Sequence, residues 1–189
     1  MKSKEELEKV LIVVDMVNGF IKYGNMSDLY INHITDGISN LVKEFINNKE
    51  CVIFIKDTHD FNSSEFKKYP VHCVKGSGEE KIIDELKEFE EYALIYEKNS
   101  TSAIYAKNFL NDLNSMKKLK EVIITGCCTD ICILNLAIPL SNYFDENNKL
   151  IDIIVYKDLV ETYNNDNHNR EEYNTMSLKL MRQAGIIVK

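Results

Sequence analysis

Residues 125–134 read TGCCTDICIL and place three of the chain's five cysteines within six positions. A thiol at a helix start is a candidate nucleophile, because the unpaired amides and the helix dipole there favour thiolate. Cys132 follows Thr129 by three residues and Asp130 by two, both good N-cap types, and an apolar run follows, so its spacing predicts a helix's first turn. Cys127 and Cys128 precede that turn, where backbone geometry rather than thiol chemistry is the constraint. Cys127 reads as a packing residue with a dispensable thiol. The competing reading makes all three cysteines small apolar core residues.

Other reactive types recur at similar places. Asp15 ends the apolar run VLIVV, as a buried carboxylate with a partner or as a surface helix cap. Lys98 lies in YEKNS; beside a carboxylate and a thiol it could hold the one and favour the thiolate of the other. Asp57 and His59, in KDTHD, with Glu65 and His72 downstream, supply two carboxylates and two imidazoles, a ligand mixture suited to Zn²⁺, Mn²⁺ or Fe²⁺. His33 and His168 read as surface residues.

The elements that must carry these groups alternate. Runs rich in Val, Ile and Leu at 10–14, 51–55, 93–96, 121–125, 151–155 and 185–188 are nearly continuous in apolar character, as parallel strands covered on both faces require. Between them Ile31, Ile34, Ile38, Leu41, Val42, Phe45 and Ile46 follow helical spacing behind Ser27 as N-cap, and further helices are expected over 81–89 and 173–183. Strand–helix alternation predicts a doubly wound α/β fold with right-handed crossovers. Ligands of such sheets bind beyond the carboxyl ends of the strands, which is where Asp15, Asp57, His59, Lys98 and the cysteines fall.

The whole chain sets further bounds. Its 189 residues fit one domain spanning 1–189. A net charge of −7 with only two arginines argues against a nucleic-acid partner or a phosphate clamp. No apolar run is long enough for a membrane span, and the N-terminus lacks a signal-peptide pattern, so no membrane partner and a cytoplasmic location are expected. Five cysteines at no disulfide spacing are taken as reduced thiols.

Four stretches in order, VVDMVNGF, KDTHDFNSSEFKKYPVHCVKGSGEE, EKNSTSAIY and TGCCTDIC, resemble the nicotinamidase (pyrazinamidase) branch of the isochorismatase-like cysteine hydrolases. The resemblance implies a three-layer sandwich around a mostly parallel six-stranded sheet. It implies a catalytic triad of Asp15, Lys98 and Cys132, with Asp15 as general base, amides of Cys128 and Cys132 as oxyanion hole, and a cis peptide between Cys127 and Cys128. It assigns one divalent metal, Zn²⁺ first with Mn²⁺ or Fe²⁺ as alternatives, to Asp57, His59, Glu65 and His72, where it would bind the pyridine nitrogen of the substrate. Phe20 and Tyr69 would flank the ring, with Tyr105 as a further aromatic. The implied reaction, within NAD salvage and pyridine nucleotide biosynthesis, converts nicotinamide to nicotinate and ammonia through a thioester on Cys132. A homo-oligomer is the expected assembly.

Three features depart from the pattern. Leu136 stands where relatives often have threonine, Pro139 falls inside the helix after Cys132 and is expected to kink or end it, and 140–150 lacks the usual small residues. Rival readings are a related amidohydrolase for a ureido or carbamoyl compound, a non-catalytic thiol or metal module, and isochorismate hydrolysis, which lacks a use for the cysteine and the metal loop.

Overall fold

The computed structural model describes residues 3–189. Six strands, β1 (Lys9–Val14), β2 (Cys51–Asp57), β3 (Leu94–Lys98), β4 (Glu121–Cys127), β5 (Asp152–Glu161) and β6 (Ile187–Val188), form one sheet in the order β3-β2-β1-β4-β5-β6. Every pairing is parallel, as the continuous apolar runs predicted. Six helices accompany them: α1 (Asn18–Ile21), α2 (Thr35–Asn47), α3 (Asp84–Lys87), α4 (Phe109–Ser115), α5 (Leu134–Glu146) and α6 (Arg170–Gln183).

The sheet splits the core in two, which makes the three layers. On one face Ile12, Val14, Ile53 and Ile124 pack with Phe109, Leu113, Leu136, Leu140 and Met181 of α4, α5 and α6. On the other, Leu11, Val13, Phe54 and Ile123 pack with Ile38, Val42, Phe45 and Leu86 of α2 and α3. Burying a Leu, Ile or Phe contributes about 1.5–3 kcal/mol each, so these two layers are what hold the strand ends in register. Gly126 lets β4 approach β1: at φ +110° its position would put a Cβ 2.0 Å from the Val14 carbonyl oxygen.

Several boundaries differ from the sequence reading. Asp28, not Ser27, caps the first turn, accepting a hydrogen bond from the Tyr30 amide, and a 3₁₀ segment, Leu29–Ile34, precedes α2. The helix expected over 81–89 shrinks to the single turn of α3, because Ile82 bridges to Val17 and the Ile83 amide donates to Met16, holding that stretch extended. Pro139 neither ends nor interrupts α5, which runs thirteen residues. The Asn135 carbonyl, which a residue-139 N–H would normally take, accepts from the Ser102 hydroxyl at 2.7 Å instead.

Candidate active site

Four adjacent strands deliver their ends to one edge of the sheet. Asp15 directly follows β1 and takes φ 53°, a left-handed conformation that costs an aspartate little when local hydrogen bonds hold it. Its Oδ1 accepts from the Asp57 amide at 2.9 Å, which locks the carboxylate against the end of β2. Lys98, the last residue of β3, reaches across β2: its Nζ lies 2.8 Å from Asp15 Oδ2, 2.7 Å from Asp57 Oδ1 and 3.6 Å from Cys132 Sγ. None of Asp15, Asp57 and Lys98 is more than 3% exposed. The ammonium therefore joins the two carboxylates and the thiol inside the protein.

Burial governs the protonation of these groups. It lifts the Asp15 carboxyl to about 6 against the lowering by the Lys98 charge and a hydrogen bond from Cys132, with the Asp57 charge adding to the rise. Asp57 is buried too, but the Lys98 charge and the neighbouring His59 and His72 rings hold it below the usual carboxylate range. Burial disfavours the Lys98 ammonium, yet its two carboxylates keep it well above an ordinary lysine. Burial drives the Cys132 thiol well above its usual value despite Lys98, with Asp15 and Asp57 adding to the rise. Burial thus outweighs the thiolate-favouring effect expected of a helix start. Its turn, a π-helical Thr129–Ile133 without a side-chain cap, sits in a closed site between carboxylates, so the resting group is a thiol with a base beside it.

Cys128 and Cys132 sit at the two ends of that turn, and the Cys127–Cys128 peptide is cis, as expected. The Cys127 thiol, expected to be dispensable, donates to the Asp15 carbonyl at 3.2 Å and so braces the Asp15 turn from β4.

Next to Asp15, Lys98 and Cys132, the residues Asp57, His59 and His72 form a compact buried set whose ligand atoms all lie within 4.8 Å of one another. The two Nε2 atoms are 3.1 Å apart, and each is 3.4 Å from Asp57 Oδ2. His72 Nδ1 faces the Pro70 carbonyl at 2.7 Å and His59 Nδ1 faces Asn99 Oδ1 at 2.8 Å, so the outer nitrogens donate and the inner lone pairs converge on one point. Three electron-rich atoms aimed at a common centre fit a divalent cation, with the outer hydrogen bonds fixing both rings. Glu65 is buried and borders the same cavity, outside the compact set.

The cavity above these groups has a volume of about 20 Å³. Phe20, Tyr69 and His72 line it as an aromatic group, with the Phe20 and His72 ring centroids 5.5 Å apart, and Cys128 and Cys132 line it too. Met26, Thr101 and Ile131 complete the lining and were not anticipated, since nothing in their types marks them. Tyr105 does not join them: it is 82% exposed, because the segment after β3 turns outward in a 3₁₀ turn, Ala103–Tyr105, and Thr101 faces the cavity in its place. His33 is exposed as expected.

His168 is the largest correction. Instead of lying on the surface it is 6% exposed, stacked between Tyr163 and Tyr173 at 3.9 and 3.7 Å. Its Nε2 meets Asp130 Oδ2 at 2.9 Å, and the other Asp130 oxygen accepts from the Thr162 hydroxyl. Asp130 is thus a tether of the cysteine turn rather than a helix cap.

A parallel sheet that brings a thiol, a carboxylate and a lysine together at its carboxyl edge has the layout of an α/β enzyme. The chain belongs to the isochorismatase family, whose domain model matches residues 9–188. It is 28% identical over 179 residues to the isochorismatase family protein PncA of Bacillus subtilis, covering 86% of this chain and 91% of that protein. It is 30% identical over 139 residues to Nicotinamidase 1 of Arabidopsis thaliana, covering 66% of this chain and 57% of the plant protein. The fold is shared with the solved pyrazinamidase of Pyrococcus horikoshii in complex with zinc, at TM-score 0.79 and 21% identity over 96% of this chain and 98% of that one. These relatives place the chain in the nicotinamidase branch, as an amide-hydrolysing enzyme.

Proposed function

We propose that this enzyme hydrolyses nicotinamide to nicotinate and ammonia with Cys132 as nucleophile, Asp15 as base and Lys98 as their electrostatic support. The observation that carries the reading is Lys98 itself, whose Nζ touches Asp15 and Asp57 and lies 3.6 Å from Cys132 Sγ, joining a nucleophile pair to a cation set. The aromatic wall of Phe20 and Tyr69 suits a flat ring amide.

In this mechanism Asp15, ionised, takes the Cys132 proton as sulfur attacks the amide carbon. The amides of Cys128 and Cys132 donate to the developing oxyanion, each worth on the order of 3 kcal/mol. Asp15 returns the proton to the leaving nitrogen, ammonia departs, and the carboxylate then activates water to cleave the thioester. Asp57, His59 and His72, with Glu65 bordering, would hold a divalent cation, Zn²⁺ first; bound, it supplies a Lewis-acid position for the ring nitrogen. Lys98 keeps Asp57 ionised for that role while lowering the cost of the charge on Asp15.

The test is direct. Purified protein is incubated with nicotinamide and zinc, and ammonia and nicotinate are followed. Product from the unmodified protein, its loss by a factor of about a thousand or more in Cys132→Ala, and its loss on chelation with recovery on adding zinc are expected. No product from the zinc-loaded protein sinks the substrate; full activity in Cys132→Ala sinks the mechanism.

A further inference from the structure

We propose that His168 is a positioning residue for the nucleophile turn, acting through Asp130; this rests on the reading of Cys132 as nucleophile. The turn Thr129–Ile133 presents Cys132, and Asp130 lies two residues from both Cys128 and Cys132, the residues that would cradle the oxyanion. Within the turn the Ile131 and Ile133 amides both donate to the Cys128 carbonyl at 3.1 Å, which sets its shape but not its orientation against β3. Thr129 Oγ1 is buried without a partner among the described residues, so it ties the turn to nothing. Besides the Lys98–Cys132 contact and the packing of Ile133 in the core, the turn is tethered by the Asp130 carboxylate, taken on one oxygen by Thr162 and on the other by His168.

His168 is built to hold it. The loop between β5 and α6 closes on itself through two backbone bonds of 3.1 Å between Asn165 and His168, which turns the imidazole inward. The Tyr163 carbonyl accepts from Nδ1 at 3.0 Å, and the rings of Tyr163 and Tyr173 clamp both faces. The ring can then move only with the loop, and with it the carboxylate. Two consequences follow for the reaction. Released from His168, Asp130 lets the turn drift, and a displacement of about 1 Å at a reacting atom costs on the order of 100-fold in rate. A freed carboxylate two residues from each oxyanion donor would also oppose the charge that develops there.

His168→Phe preserves the aromatic stack and removes both hydrogen bonds. Expected is a drop in kcat of roughly 10- to 100-fold with KM within about threefold, since His168 lines no part of the cavity, and with unchanged zinc stoichiometry, since the cation set lies on β2 and its loop. A residue that merely held the fold would lower zinc binding and thermal stability together with kcat. His168→Gln, which keeps a donor toward Asp130, should recover most of the rate, and His168→Phe combined with Asp130→Asn should be no slower than the worse single variant, because both remove one contact. If His168→Phe does not fold, the Gln and Asp130→Asn variants carry the test. A folded His168→Phe or Asp130→Asn variant with unaltered kcat overturns the proposal. The rate of iodoacetamide modification at Cys132, read by peptide mass spectrometry, should fall with kcat in His168→Phe. That readout needs no substrate: a protein inert to nicotinamide whose Cys132 modification slows in His168→Phe refutes the assigned substrate alone, and unchanged modification in His168→Phe refutes the tether.

Discussion

Replacing Lys98 by Met keeps the unbranched stem and removes one charge from a site that holds two buried carboxylates. Lys98 pairs with Asp15 at 2.8 Å and with Asp57 at 2.7 Å. Removing one partner of a buried pair costs about 3–5 kcal/mol, because the remaining charge is left uncompensated. Against a total stability of about 5–15 kcal/mol this is a large fraction. For a chain of 189 residues each kcal/mol moves Tm by about 2–4 °C, so the variant should melt roughly 6–20 °C lower near pH 7. The sign of its pH dependence follows from the carboxylates. Lys98 lowers both, so its loss raises Asp15 further above its unfolded value and removes part of what holds Asp57 below its own. A raised carboxyl contributes stability below its unfolded value and loses it as pH rises through its folded value. The deficit should therefore shrink as pH falls from 7 toward 5. Calorimetry or far-UV melting in chelator isolates this effect, because a bound cation would itself offset Asp57. A Tm loss below about 2 °C, or a deficit that does not change with pH, refutes the electrostatic account of Lys98.

Two further outcomes are expected. With the Asp15 carboxyl lifted to about 6, kcat/KM should rise with pH through that region and stand about tenfold lower at pH 5 than on the plateau; a profile flat from pH 5 to 7 removes Asp15 as the base. Ser102→Ala should cost about 0.5–1 kcal/mol by stranding the Asn135 carbonyl, and less in a Pro139→Ala background, where the residue-139 N–H reclaims it; equal costs in both backgrounds, measured by urea unfolding, would count against that exchange.

The strands were legible because a sheet covered on both faces needs uninterrupted apolar runs, and Asp15, Asp57 and Lys98 stood out as charges ending such runs. The expected site set of Asp15, Asp57, His59, His72, Lys98 and Cys132 does converge. Much of the rest depends on contacts between distant segments. The polar run around His168 reads as solvated until Tyr163 and Tyr173 close on it. The Asp130 carboxylate reads as a cap until Thr162 and His168 claim it. Pro139 reads as a helix breaker until Ser102 replaces the missing donor, and α1 and α4 are too short to print a period. The direction of the Cys132 shift escaped for a different cause: dipole arguments are local, whereas burial beside two carboxylates is a property of the assembled site.

The small cavity has a kinetic meaning. At about 20 Å³ it has room for a single water, far less than a six-membered ring with its amide. A ring amide would therefore displace lining side chains as it binds, and Met26, unbranched, is the lining residue that can yield at least cost. Association should then be slower than diffusion allows, because each productive encounter has to rearrange that lining.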